Sequence, residues 1–175
     1  MPDMLVKLYE LPQLYSQLRK TEKQGFVVRR PNPWEKAILV EWIRDHFGLA
    51  WAAECETAFA SNPPSCFVAV EKDALIGFAC HDCTRWNFFG PTGVAPNARG
   101  KGVGLSLLLA CLHAMRNNGY AYAIIGGVGP AEYYSKTVGA TMIEGSSPGI
   151  YDLGLLRKGP GPDKPTPSPP ARDAD

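Results

Sequence analysis

Two spacings alternate along this chain: apolar residues every second position over short stretches, and every third or fourth over longer ones. Leu5 to Leu8 alternates and fits an extra strand, while Leu14 and Leu18, four apart within Leu11 to Lys20, fit a weak helix. These first 25 residues form a leader expected to pack on the outside of the domain. Phe26 to Arg30 reads as the first full strand. Asn32-Pro33-Trp34-Glu35 then signals a helix start, with asparagine as N-cap, proline at N1 and glutamate at N3. Leu39, Ile43 and Phe47 follow at fourfold spacing, so that helix should reach about His46. After Gly48, a second short helix carries Trp51, Cys55, Ala58 and Phe59 on one stripe, and Asn62-Pro63-Pro64 ends it.

Cys66 to Glu71 and Leu75 to Cys83 predict two strands joined at Lys72-Asp73-Ala74, and Arg85-Trp86-Asn87 leads into a third at Phe88. That third run, Phe88 to Val94, holds Gly90, Pro91 and Gly93, and proline cannot donate to a ladder, so a bulge or an edge is expected. Leu105, Leu108, Leu109, Leu112 and Met115 make the apolar stripe of a helix that Gly119 closes. Tyr120 to Ile125 is almost continuously apolar and predicts a central strand. Pro130 should open a late helix, and Thr141 to Glu144 with Ile150 to Leu155 a closing hairpin.

Between the Phe88 run and the apolar helix lies Arg99-Gly100-Lys101-Gly102-Val103-Gly104. Glycine at alternate positions permits φ > 0 and close approach to the backbone, so successive N–H groups can converge on an anion. A helix start adds unpaired N–H groups and the positive end of a dipole. Arg99 and Lys101 bring positive charge. The stretch therefore predicts a phosphate or pyrophosphate cradle, blocked by a bulky residue at Gly102. It is neither a P-loop nor the dinucleotide fingerprint G-x-G-x-x-G, because Leu105 stands where the third glycine belongs.

What these six residues do resemble is the R/Q-x-x-G-x-G/A signature of the GNAT N-acetyltransferase superfamily. Phe88 to Val94 resembles that family's fourth strand and Tyr120 to Gly127 its fifth. Ala131 to Ala140, AEYYSKTVGA, resembles its late helix, and the likeness runs from about Phe26 to Tyr151. The resemblance implies an α/β (α+β) fold with a mixed, mostly antiparallel sheet flanked by helices, the fourth and fifth strands splayed. It implies an acetyl-CoA-dependent N-acetyltransferase that moves the acetyl group directly to a primary amine. The pyrophosphate of acetyl-CoA would lie on the amides of Arg99, Gly100, Lys101, Gly102, Val103 and Gly104. A backbone N–H near Val94 would face the carbonyl oxygen.

The resemblance further makes Tyr134 the general acid that protonates the departing thiolate, with Tyr133 as the alternative. The fourth strand carries no acid, a departure from many relatives, so the general base stays open among Glu54, His81 and Asp82. The loop Gly127-Val128-Gly129-Pro130 lacks the asparagine that relatives often place against the cofactor. These departures keep a second reading in play, a non-catalytic acyl-CoA-binding sensor.

Composition narrows the partners. The chain has 175 residues with 45% hydrophobic and 20% charged content, enough for one domain expected over residues 1–158. A net charge of +1 provides no electrostatic case for nucleic acid or membranes. A small-molecule or peptide amine is the expected partner, with a homodimer left open. No signal-peptide pattern opens the chain, so a cytoplasmic protein is expected. The five cysteines include Cys80-His81-Asp82-Cys83, but no second CxxC accompanies it and a strand offset of three should set the thiols on opposite faces; no metal is expected. Residues 159–175 hold six prolines and no apolar residue larger than alanine apart from them, which predicts an extended tail.

Overall fold

Seven strands share one sheet: β1 (Met4–Lys7), β2 (Phe26–Arg29), β3 (Cys66–Glu71), β4 (Ala74–His81), β5 (Phe88–Val94), β6 (Tyr122–Ile125) and β7 (Thr141–Met142). Their order is β2-β3-β4-β5-β6-β1-β7 in the computed structural model, which describes residues 1–152. The expected tail from Gly159 lies outside the described residues. Five helices flank the sheet: α1 (Leu14–Glu22), α2 (Lys36–Phe47), α3 (Leu49–Thr57), α4 (Val103–Asn117) and α5 (Ala131–Val138). Every strand pair is antiparallel except β5 and β6. The mixed, mostly antiparallel sheet flanked by helices is the fold class expected from the sequence.

The parallel pair is short. Phe88 faces Ile124 and Phe89 faces Ile125, and there the pairing stops. Gly90 at φ 124° and Pro91 follow directly. Proline has no N–H for a ladder, and the glycine holds a backbone angle that other residues rarely adopt, so β5 bends away from β6. Toward its other neighbour β5 keeps its partner, with a register shift between Ala79 and His81 on β4. The sheet therefore opens on one side of β5 only.

The leader does not pack outside the domain. β1 lies between β6 and β7 and pairs with both, and Met4, Val6 and Leu8 are buried. Period-two alternation puts these three side chains on the α4 face, where α4 would otherwise lie against open space. Asp3, just before β1, is buried as well. Its Oδ1 accepts the Gly127 N–H at 2.8 Å, and its own N–H donates to Ser146 Oγ at 2.8 Å. The leader thus ties down the loop that leaves β6.

The expected closing hairpin is also corrected. β7 covers only Thr141 and Met142 and pairs with β1, while Ile150–Asp152 forms a 3₁₀ turn and residues 153–155 lie outside the described residues. Cys80 and Cys83 differ from expectation too. The chain leaves the strand at His81, and Asp82 at φ 57° turns it, so Cys83 lies outside the strand and its thiol donates to His81 O at 3.3 Å. Cys55, Cys66 and Cys80 fill the core between the sheet and α2 and α3.

α4 is buried nearly all round from Ser106 to Met115, because the sheet covers one side and α1 the other. Gln17 Nε2 of α1 donates to Gly102 O at 3.3 Å and Ser106 Oγ at 3.2 Å. The start at Asn32 is realised as a capping box, followed by a 3₁₀ turn and then α2. Its Glu35 also takes both guanidinium nitrogens of Arg29, at 2.7 and 2.6 Å, joining β2 to α2. The Arg29 hydrogen bonds, with help from the Asn32 N–H, hold the Glu35 carboxyl down to about 2. A depressed carboxyl stabilises the fold above its unfolded pKa and loses that contribution as pH falls toward the folded value. The urea midpoint of the wild type should therefore approach that of Glu35→Gln between about pH 5 and about pH 2. A gap that stays constant over this range would show that the pair contributes nothing.

Candidate active site

The cradle forms where α4 begins. Gly100 and Gly102 have φ of 75° and 82°, and no side chain caps the helix. The first-turn N–H groups of α4 thus lack intrahelical acceptors and point outward at the positive end of the dipole. The two basic residues part company. Arg99 lines the groove beside the cradle, its Nε donating to Val94 O at 3.1 Å. Lys101 turns away, with Nζ 5.6 Å from the Phe26 ring centre.

The glycines also differ. A Cβ on Gly102 would meet Gln17 Nε2 of α1 at 3.2 Å, so its bare side faces a helix and not the groove. A Cβ on Gly104 would lie 3.7 Å from Val94 and 3.8 Å from the Tyr133 hydroxyl, inside the groove. A bulky residue at Gly102 would therefore strain the backbone and push α1, whereas one at Gly104 would fill the groove itself.

Two cavities meet where β5 and β6 part. One, of about 380 Å³, is lined by Gly93, Val94, Arg99, Gly104, Leu108 and Tyr133 among others. The other, of about 490 Å³, runs toward α3 and is lined by Trp51, Glu54, Thr84, Pro91, Gly126 and Tyr151 among others. Phe89, Thr92, Pro130 and Tyr134 line both. A ligand lying along the cradle and one lying against α3 would come together at these four residues.

Val94 borders the opening with its peptide as well as its side chain. The Ala95 N–H donates to Ile76 O, toward β4, at 2.8 Å. By strand alternation the Val94 peptide groups face the other way, into the gap that β6 has left. Its carbonyl is taken by Arg99, and its N–H points at the opening.

Tyr134 is held at the junction by α5, 8% exposed, with its ring edge-on to Phe89 and to Tyr133. Its hydroxyl makes no hydrogen bond among the described residues, and burial pushes its pKa up, so it remains a proton donor at neutral pH. Tyr133 sits over the cradle, lines only the smaller cavity, and is pushed up to about 12 by burial and then by Tyr134. Gly139 at φ 64° closes α5 and holds the helix at this position. Pro130 precedes α5 as its cap residue, one position earlier than the sequence suggests.

The three acid–base candidates are dispersed. Glu54 lines the larger cavity from α3, its Oε1 accepting the Thr84 hydroxyl at 2.6 Å. His81 is buried under α4, its Nδ1 2.9 Å from Asp82 Oδ2 and its Nε2 without a partner among the described residues. Asp82 also accepts the Asn87 N–H at 2.7 Å and so stabilises the turn into β5. Neither lines the two cavities that meet at Tyr134.

Thr84, Tyr151 and Asp3 were not singled out from the sequence. Tyr151 packs directly on the chain after β6: a Cβ on Gly126 would fall 2.6 Å from its hydroxyl. Burial and then the Glu54 charge push its pKa up. No motif around Thr84 or Tyr151 marks either residue: Thr84 lies in the β4–β5 connection and Tyr151 in a 3₁₀ turn.

Among the described residues no helix is long and apolar enough to cross a membrane, and no group of three or more His, Cys, Asp or Glu is placed to hold a metal ion. Residues 32–135 match the model of the acetyltransferase (GNAT) family. No curated protein matches the chain. Among solved structures, the chain is similar to the GCN5-related glucosamine N-acetyltransferase region of a fungal multi-domain β-N-acetylglucosaminidase, at a TM-score of 0.66 and 15% identity over 81% of this chain and 19% of that one. A GCN5-related N-acetyltransferase from Sphaerobacter thermophilus aligns at a TM-score of 0.58 and 17% identity, over 81% of this chain and 48% of that one. A Drosophila protein aligns at 0.55 and 17%, over 81% and 47%. The chain thus spans about half the length of these relatives or less.

Proposed function

The chain belongs to the acetyltransferase (GNAT) family, and we propose that it transfers an acetyl group from acetyl-CoA to a primary amine in a ternary complex. The observation that carries this reading is the meeting of two cavities at Tyr134, one reaching the cradle and the other reaching Glu54. The residues fit acetyl-CoA: a helix start without a side-chain cap, a glycine whose missing Cβ leaves the groove open, and Arg99 beside it. The amides from Arg99 to Gly104 would hold the pyrophosphate. When bound, acetyl-CoA supplies the acetyl group as a thioester and departs as the thiol.

Each side chain then has a task. Glu54 is the group that takes the ammonium proton, directly or through water, freeing the lone pair that forms the new C–N bond. The Val94 N–H donates to the carbonyl oxygen while it is negative. Tyr134 gives its proton to sulfur as the C–S bond breaks. His81 and Asp82 bind each other and the β4–β5 turn, so their task is structural.

The test is release of free thiol from acetyl-CoA against a broad panel of amines. Amine-dependent release is expected, and Glu54→Gln should lower kcat/KM by roughly 10²-fold or more at neutral pH. Coenzyme A that binds without any amine eliciting thiol would mark a sensor instead of an enzyme.

A further inference from the structure

After β7 the chain turns back to the larger cavity. Gly145 and Gly149 hold φ of 72° and 75°, angles that residues with side chains rarely adopt, and a Cβ on Gly149 would stand 3.0 Å from Ser146 O. Beyond these turns, Ile150–Asp152 forms a 3₁₀ turn that sets Tyr151 in the wall of the cavity holding Glu54 and Thr84. The returning segment is tied in its middle. Ser146 Oγ accepts the Asp3 N–H at 2.8 Å and donates to Ile143 O at 2.7 Å, while the Ile143 N–H donates to Asp3 O at 2.9 Å. Ser146 itself lines neither of the two cavities.

The ring of Tyr151 has a fitted seat. A Cβ on Gly126 would fall 2.6 Å from its hydroxyl and one on Gly127 would fall 3.1 Å from its ring, so the bare glycines make room for it. Asp3 Oδ1 accepts the Gly127 N–H at 2.8 Å. Asp3 thus joins the two features: its carboxylate fixes the seat, and its peptide groups fix the segment that carries the ring. Tyr151 remains 49% exposed, so a ligand laid against the ring would bury apolar surface that the fold leaves open.

We infer that Tyr151 is a binding contact for the body of the acceptor amine, and that Asp3 and Ser146 are positioning residues that hold its ring at the cavity. This rests on the transfer reading above and adds the wall against which the acceptor lies; the bonds made and broken are unchanged.

The test uses the full chain, acetyl-CoA and the amine of the panel with the highest kcat/KM. Tyr151→Ala should raise the KM of that amine by about tenfold and change kcat far less, as expected when ground state and transition state lose the same contact. Its affinity for coenzyme A should hold, because Tyr151 does not line the cavity beside the cradle. Tyr151→Phe keeps the ring and should keep the KM near that of the wild type. Ser146→Ala should raise the KM in the wild-type chain and add nothing once Tyr151→Ala is present, a coupling that a general loss of stability would not produce. An unchanged KM in Tyr151→Ala, or a Ser146→Ala effect that is the same with and without the ring, overturns the inference. If no amine is acetylated, the transfer reading fails by itself, and calorimetric binding of the same amines with coenzyme A present takes the place of KM. An amine that binds there and is weakened by Tyr151→Ala supports the inference. No binding, or binding that Tyr151→Ala leaves unchanged, overturns it.

Discussion

Tyr134→Phe is expected to slow acetyl transfer by roughly 10²–10⁴-fold, the range for loss of a general acid. The ring is 8% exposed and packs edge-on to Phe89, contacts that phenylalanine keeps, so the melting temperature should hold. The hydroxyl has no hydrogen bond among the described residues, so none is broken. A tyrosine hydroxyl has a reference pKa of about 10, against about 8.5 for a thiol. Burial raises Tyr134 further, which keeps it protonated but makes it a more reluctant donor. Proton transfer to a nascent thiolate therefore relies on the thiolate having no better donor in a dry site. Tyr133→Phe is the control: that side chain lines only the cradle side and should leave the rate within a few-fold. Single-turnover transfer with the best amine of the panel decides between them. A slow Tyr133→Phe beside a normal Tyr134→Phe would exchange the two assignments, and full rates in both would assign the proton to water.

Gly104→Leu should weaken coenzyme A binding by roughly tenfold to a hundredfold, the cost of forcing extra methylenes into a space already claimed. The substitution places its side chain between Val94 and the Tyr133 hydroxyl, inside the groove. Gly104 lies within α4, where leucine is the better helix former by up to about 1 kcal/mol. Stability and affinity are thus expected to part, with the melting temperature level or higher and the affinity lower. Gly102→Val is a poorer probe, because φ of 82° and the contact with Gln17 would damage the helix start itself. Calorimetric titration of coenzyme A into Gly104→Leu reads the effect directly, and unchanged affinity would move the pyrophosphate away from this helix end.

Local patterns were enough for most elements, because a helix cap, an alternating run or a glycine cluster is written within a few neighbouring residues. The Asn32 capping box, the stripe of α4, the glycine-rich start of that helix and the break in β5 at Gly90-Pro91 all depend on short-range backbone chemistry, and each appears where the sequence places it. Misses occurred where a partner lay far along the chain. β1 reads as an isolated run until β6 and β7 stand on either side of it. Ile150–Asp152, expected to begin a strand, forms a 3₁₀ turn whose Tyr151 packs on the chain after β6.

The site divides along the same line. The sequence by itself determined the glycine-rich helix start, the gap beside β5 and two adjacent tyrosines on the late helix, since each follows from glycine and proline backbone limits or from spacing along one helix. Only the tertiary structure decided which tyrosine lies at the junction and which over the cradle. The same holds for the candidate bases, because Glu54 meets Thr84 across 30 residues while His81 is sealed under α4. It also decided that Asp3 holds the loop after β6 through the Gly127 N–H, 124 residues away. Those contacts arise from the sheet order, which brings the start of the chain beside its end, and no period or motif within a single segment encodes that order.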